Sequence, residues 1–285
     1  MTRIIGISGK KQSGKSTSAN WLHGLVLKDQ GLVEDFNVDA NGKLAIETFD
    51  QSRVKGWGVF DVGRNDDAFV EYAEEEMWPH VKMYSFADTL KSLCVHLFGL
   101  RPEQVYGSEE DKNSLTQFRW ENMPGIVTKK VLEEEWGNML CDWFPKDHEY
   151  GAKEMQEGLA GINLMYHDAG PMTAREFMQH FGTDVMRKMY SNIWVDNTIK
   201  KILAEGSELA VVPDVRFPNE VEAILENGGE VIRLSRVYEK DGHQSETCLD
   251  PGNFDHSKFT HVIENADIGI DGLLNKLTQI YRRQA

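Results

Sequence analysis

Gly9-Lys10-Lys11-Gln12-Ser13-Gly14-Lys15-Ser16-Thr17 is a complete G-x-x-x-x-G-K-[ST] stretch set directly behind the apolar run Ile4-Ile5-Gly6-Ile7. Its glycines let the backbone curl so that several N–H groups point at one anion, and a helix starting there adds its positive end. In that arrangement Lys15 bridges the β- and γ-phosphates of a nucleoside triphosphate, and the Ser16 hydroxyl is offered to Mg2+. Gly9, Lys10, Lys11, Ser13, Gly14, Lys15, Ser16 and Thr17 are therefore the expected phosphate-binding residues. The context is the one this chemistry requires. A strand precedes the loop, and a helix follows over Thr17 to Leu27, apolar at Trp21, Leu22, Leu25 and Val26 and stopped at Gly31. A Gly/Lys-rich surface turn would leave that spacing to chance.

Composition narrows the partners. Forty-six Asp and Glu against 31 Lys and Arg give a formal charge of −15, which repels polyanions and disfavours a nucleic-acid polymer as ligand. A small cationic pocket in an acidic chain suits a small phosphorylated ligand instead. Cys94, Cys141 and Cys248 are scattered, with no C-x-x-C pair, so neither a disulfide framework nor a zinc site is indicated, and reduced thiols in a cytoplasm are expected. We expect no signal peptide before the first strand, and no apolar run approaches the roughly 18 residues of a membrane span.

Strands alternating with helices along the chain predict an α/β fold, a parallel sheet wound with helices from both sides. We expect a single domain over 1–285 with two insertions: a β-hairpin at 36–62, read as an excursion from the core, and a mainly helical lid or substrate region at 103–205. Ser85 is the expected cap of a helix over Ala87 to Phe98. Thr173-Ala174-Arg175-Glu176 reads as a capping box for a helix that Gly182 interrupts, with a second helix from Asp184 to Tyr190. Leu209 to Val212 reads as a strand that ends at Pro213-Asp214, before a helix with Pro218 near its first turn.

In such a sheet ligands bind at the carboxyl edge of the strands. Asp214, after Leu209 to Val212, is the candidate second group on Mg2+; the alternative is a carboxylate capping the next helix. Arg216 returns to the same side of an extended segment, where it clamps phosphate or pairs with Asp214. An anionic acceptor needs further cations, and Lys91, Lys112, Arg119, Arg175 and Arg187 are the pool, each of which can equally be a solvated surface residue. Trp120 and Trp194 can stack on a base, although packing is the commoner use of tryptophan. His243 with Glu246 resembles an acid/base pair only superficially, since phosphoryl transfer to a phosphate needs little proton chemistry.

The ordered set Gly9 to Thr17, Tyr84-Ser85-Phe86-Ala87-Asp88-x-Leu90-Lys91, Thr173-Ala174-Arg175-Glu176-Phe177-Met178-Gln179-x-Phe181-Gly182-Thr183-Asp184, Trp194-Val195, Asp214-Val215-Arg216-Phe217-Pro218-Asn219-Glu220 and His243-x-Ser245-Glu246 resembles the bacteriophage deoxynucleoside monophosphate kinases. The resemblance implies a P-loop kinase fold and transfer of the γ-phosphoryl group of ATP, with Mg2+, to a deoxynucleoside 5′-monophosphate. It places Lys112, Arg175, Trp194 and Arg216 on the acceptor, to which Lys91 of the cation pool is added; Lys15, Asp214 and Arg175 or Arg216 are then expected at the reaction, with Ser16 and Asp214 on the metal. It also implies a homodimer, working in a host-cell cytoplasm if the chain is phage-encoded. Some relatives carry an acid where this chain has Ser16, and the shorter ones lack the 36–62 insertion. Two rival readings share the loop: another small-molecule kinase, such as one acting on dephospho-coenzyme A, and an ATP-binding regulatory protein without an acceptor.

Overall fold

The structure, a computed structural model, describes residues 2–49, 54–64, 66–128, 131, 164–235 and 247–283. They group into two compact units, Met1–Phe86 with Val195–Ala285, and Ala87–Trp194. Cys141, His243, Ser245 and Glu246 lie outside the described residues.

The chain opens with β1 (Arg3–Gly9) and passes through the glycine-rich loop into α1 (Lys15–Asp29). Three antiparallel strands follow, β2 (Asp35–Val38), β3 (Leu44–Phe49) and β4 (Lys55–Phe60). Next come α2 (Asp67–Tyr72), prolonged by a π-helical turn over Ala73–Met77, and β5 (Val81–Met83). The second unit carries α3 (Asp88–His96), α4 (Pro102–Tyr106), α5 (Glu109–Lys112), β6 (Leu115–Arg119), β7 (Ile126–Val127), β8 (Met165–Tyr166), β9 (Pro171–Thr173) and α6 (Ala174–Gln179), which runs into a π-helical stretch over His180–Arg187. After α7 (Ile193–Glu205) the first unit is completed by β10 (Leu209–Val215), α8 (Pro218–Glu226), β11 (Glu230–Ser235), β12 (His261–Glu264) and α9 (Gly269–Arg282).

The main sheet of the first unit has five strands in the order β12-β11-β1-β10-β5, every neighbouring pair parallel. Alternate residues of each strand feed the two faces. Ile5, Ile7, Val211, Ile232 and Leu234 pack with Leu22 and Val26 of α1 and Leu274 and Leu277 of α9. Ile4, Ala210, Val212 and Val231 pack with Ile199 and Ile202 of α7 and Val221 and Ile224 of α8. Burial on both sides is why these strands read as unbroken apolar runs. The second unit has its own core, in which Phe177, Met172, Cys94 and Val105 are buried.

Several expectations change. The 36–62 insertion is a three-stranded antiparallel sheet, β2-β3-β4, where one hairpin was expected. Gly56-Trp57-Gly58, whose paired glycines resemble a turn signal, lies inside β4, where Trp57 pairs with Glu47. Nor is this sheet an excursion. Phe36, Val38 and Leu44 join the same buried cluster as Ile5 and Leu22, because Gly24 of α1 leaves room: a Cβ there would lie 2.2 Å from Phe36 Cδ2. β10 continues through Pro213 to Val215, and the register with β1 shifts between Gly6 and Ser8, so the missing proline N–H falls at an irregularity of the ladder. Gly182 does not break its helix; a Cβ there would stand 2.6 Å from Leu90 Cδ2, so it is a point of close packing. Among the described residues, no helix is long and apolar enough to cross a membrane.

Candidate active site

Because the main sheet is parallel, the carboxyl ends of its strands lie along one edge. Gly9 ends β1, Asp214 and Val215 end β10 beside it, and Tyr84-Ser85 follow β5 on the far side of β10. The glycine-rich loop starts at that edge. Gly14 takes a left-handed φ of 94° just before the helix, and a Cβ at Gly9 would meet Ser13 Oγ at 2.3 Å and the Leu234 carbonyl oxygen at 3.0 Å. Both positions therefore need glycine for the curl. Asn265, directly after β12, donates its amide N–H to the Ser13 carbonyl at 2.8 Å and so fixes the loop from below. The Lys15 ammonium curls back over the loop, donating to the Gly9 carbonyl at 2.5 Å and the Lys10 carbonyl at 2.6 Å. Ser16 is exposed at the start of α1.

Lys10 is held by Asp250 at 2.8 Å, and Asp250 also lies 3.5 Å from Arg233 of β11, whose guanidinium donates to Ser8 Oγ at 2.9 Å. Arg233 and Asp250 therefore support the loop, a role the sequence reading did not assign. The available signal was a charged residue inside the buried run Glu230 to Leu234.

Asp214 has a different neighbour from the one expected. The Ser85 hydroxyl donates to its carboxylate, and the Phe86 N–H approaches the other oxygen at 3.4 Å. Ser85 is thus no helix cap, and α3 starts without a side-chain cap at Ala87. Asp214 does not cap α8 either. Glu220 does so, accepting the N–H groups of Arg216 at 2.7 Å and Phe217 at 3.1 Å, with Pro218 in the first turn, where its missing donor is harmless. The helix-cap reading of Asp214 is set aside, and its carboxylate stays at the sheet edge with the loop. Among the described residues no group of three or more His, Cys, Asp or Glu side chains gathers as a cation cage. A hydroxyl such as that of Ser16 and one carboxylate are the hard oxygen donors that Mg2+ takes when phosphates and water complete its shell.

The second unit holds a separate cationic group. Arg175, in the first turn of α6, donates to Glu109 at 2.7 Å and to Asn113 at 3.2 Å. Burial, and then the positive charges of Lys91 and Arg175, hold the Lys112 ammonium below its usual pKa, against the pull of Glu109 and Asp111. Lys91 lies 5.3 Å over the Tyr106 ring. Lys91, Lys112 and Arg175 thus stand near one another, with Glu109 and Asp111 among them. Thr173 does cap α6, accepting the Glu176 N–H at 3.2 Å while the Glu176 carboxylate accepts the Thr173 N–H at 2.8 Å. Trp194 is corrected to a packing residue: it is 3% exposed and spends its indole N–H on the Gly182 carbonyl at 3.1 Å. Trp120 already stacks on His167, with ring centroids 3.8 Å apart.

Residues 82–277 match the family model of the deoxynucleotide monophosphate kinases. A protein of Acanthamoeba polyphaga mimivirus, described as "Putative deoxynucleotide monophosphate kinase", is 29% identical over 167 residues, 58% of this chain and 67% of that protein. The matched span holds the Tyr84 to Lys91, Thr173 to Asp184 and Asp214 to Glu220 motifs but begins well after the loop at 9–17, so the loop and the match are independent observations. With the five-stranded parallel sheet beneath both, they place this chain in the deoxynucleotide monophosphate kinase family.

Proposed function

We propose that this chain transfers the γ-phosphoryl group of ATP to a deoxynucleoside 5′-monophosphate, yielding the diphosphate and ADP. The observation that carries the reading is the Gly9 to Thr17 loop at the carboxyl edge of a parallel sheet, in a chain whose residues 82–277 match this kinase family. Lys15 leaves the Gly9 and Lys10 carbonyls for the donor's β- and γ-phosphates, and the loop N–H groups receive the same charge. Ser16 and Asp214 would hold Mg2+, which when bound would neutralise charge on the transferring group. Arg216 adds a cation on the donor unit. Lys91, Lys112 and Arg175 bind the acceptor's monophosphate, Arg175 exchanging Glu109 for a bidentate phosphate contact. The nucleophile is already an anionic phosphate oxygen, so positioning and charge neutralisation suffice and no general base is needed. The reading extends to a homodimer working in the cytoplasm, that of the host cell if the chain is phage-encoded.

The test is ADP release from ATP and Mg2+ with a panel of acceptors: the deoxynucleoside monophosphates, their ribonucleotide counterparts and dephospho-coenzyme A. Turnover that depends on a deoxynucleoside monophosphate is the expected result. Turnover with dephospho-coenzyme A alone would assign another small-molecule kinase. ATP binding with no acceptor-dependent turnover would leave a regulatory protein.

A further inference from the structure

Beside the phosphate loop lies a cavity of about 310 Å3, bounded by the loop at Gln12 to Gly14, by Thr17 of α1, by Ala40 and Asn41 in the turn between β2 and β3, and by the stretch from Asn265 to Leu273. Its size is that of a small-molecule site, which starts at roughly 300 Å3. None of the described residues lining it is charged. A further phosphate would therefore meet no counter-charge there, whereas neutral amide and hydroxyl groups beside the apolar Ile270 and Leu273 side chains suit a flat, neutral heterocycle. A nucleoside joined to phosphates held by the loop is such a group.

The turn that closes one side is built before any ligand arrives. The Asp39 carboxylate accepts the N–H groups of Asn41 at 2.9 Å and Lys43 at 2.8 Å, and the Gly42 N–H reaches the Asp39 carbonyl at 2.9 Å. Asn20 of α1 then pins the turn, donating to the Gly42 carbonyl at 2.7 Å. Gly42 has a left-handed φ of +80°, and a Cβ on it would stand 2.3 Å from Thr17 Oγ1. The inserted sheet is thus fastened to the helix that follows the phosphate loop, with its tip on the cavity, and a ligand need not order it.

We propose that the inserted sheet is a donor-specificity element, its Asp39 to Gly42 turn forming the outer wall against which the nucleoside of the triphosphate packs. The inference rests on the reading that residues 9–17 hold a nucleoside triphosphate, and it assigns a ligand contact to residues outside the matched family span.

Calorimetric titration without acceptor, in Mg2+, compares ATP with inorganic tripolyphosphate, which offers the loop its phosphates and no nucleoside. The wild-type chain should bind ATP about tenfold or more tightly than tripolyphosphate, the order expected from burying one heterocycle. Gly42→Ala, which pushes the turn off Thr17, and Ala40→Phe, which fills the cavity from an exposed position that the fold does not need, should each remove most of that preference. Tripolyphosphate affinity should stay within about twofold. Equal losses for both ligands would make the turn a mere support of the loop and overturn the proposal, as would an unchanged preference in both variants or equal wild-type affinities. A wild-type chain that binds neither ligand would bring down the donor-loop reading and this inference together.

Discussion

Asp214 shows how one residue's role depends on which neighbours take the competing jobs. Sequence position makes it either a helix cap or a metal-organising group. Glu220 takes over the cap of α8, and the Ser85 hydroxyl orients the Asp214 carboxylate at the end of β10. Replacing Asp214 by Asn keeps the shape and a hydrogen bond to Ser85 but removes the charge. It should raise the Mg2+ concentration for half-maximal activity by about tenfold or more, with a smaller change in KM for the acceptor. Ser85→Ala should shift the same titration in the same direction by less, because it frees the carboxylate without discharging it. An unchanged metal titration in Asp214→Asn at normal turnover would remove Asp214 from the metal site.

At the scale of elements, the best-read pieces are those with a local cause. The Thr173 to Glu176 capping box needs only its own four residues, and both of its reciprocal hydrogen bonds form. Thr173→Ala should cost about 1 kcal/mol and lower the melting temperature by a few degrees, with the Glu176 side chain losing its reason to fold back. Equal melting temperatures would mean that packing of Phe177 and Met172 alone sets this end of the helix. The β1-loop-α1 unit was legible for the same reason, since spacing, apolar period and glycine positions agree over one short stretch. Ser85, Gly182 and the inserted sheet were misread because their partners are distant in sequence. Ser85 finds Asp214, Gly182 finds Leu90, and Phe36 finds Gly24. Likewise, the cations of the second unit carried no periodic signal. Lys91, Lys112 and Arg175 stand on three separate helices, and only the fold brings them near one another.

For the whole molecule, the pH dependence of stability has one source that can be isolated. His23 of α1 is 1% exposed in the first unit's core, with Met77 Sδ 3.3 Å from its Nε2 and the Phe60 ring 6.2 Å away, so α1, the π-helical turn and the inserted sheet meet around it. Burial pushes its pKa from 6.5 down to about 3. The folded chain therefore keeps His23 neutral at pH values where the unfolded chain protonates it. The unfolded state binds the extra proton between pH 6.5 and about 3, so stability is fully present above 6.5 and is lost as pH falls through that window. The slope from this one group approaches 1.4 kcal/mol per pH unit once pH is well below 6.5. The carboxylates of Asp35, Asp66, Asp111, Glu121, Glu205 and Asp255, also held below their usual values, lose their contributions only at lower pH, as they approach protonation. Between pH 6.5 and about 5 the histidine should therefore dominate the acid slope. Urea midpoints measured at pH 7, 6 and 5 should fall in the wild-type chain and stay nearly level in His23→Leu, whose side chain of similar reach keeps the contact with Met77. Parallel declines in the two proteins would show that His23 is not held neutral, and would shift the origin of acid sensitivity to the exposed ion pairs.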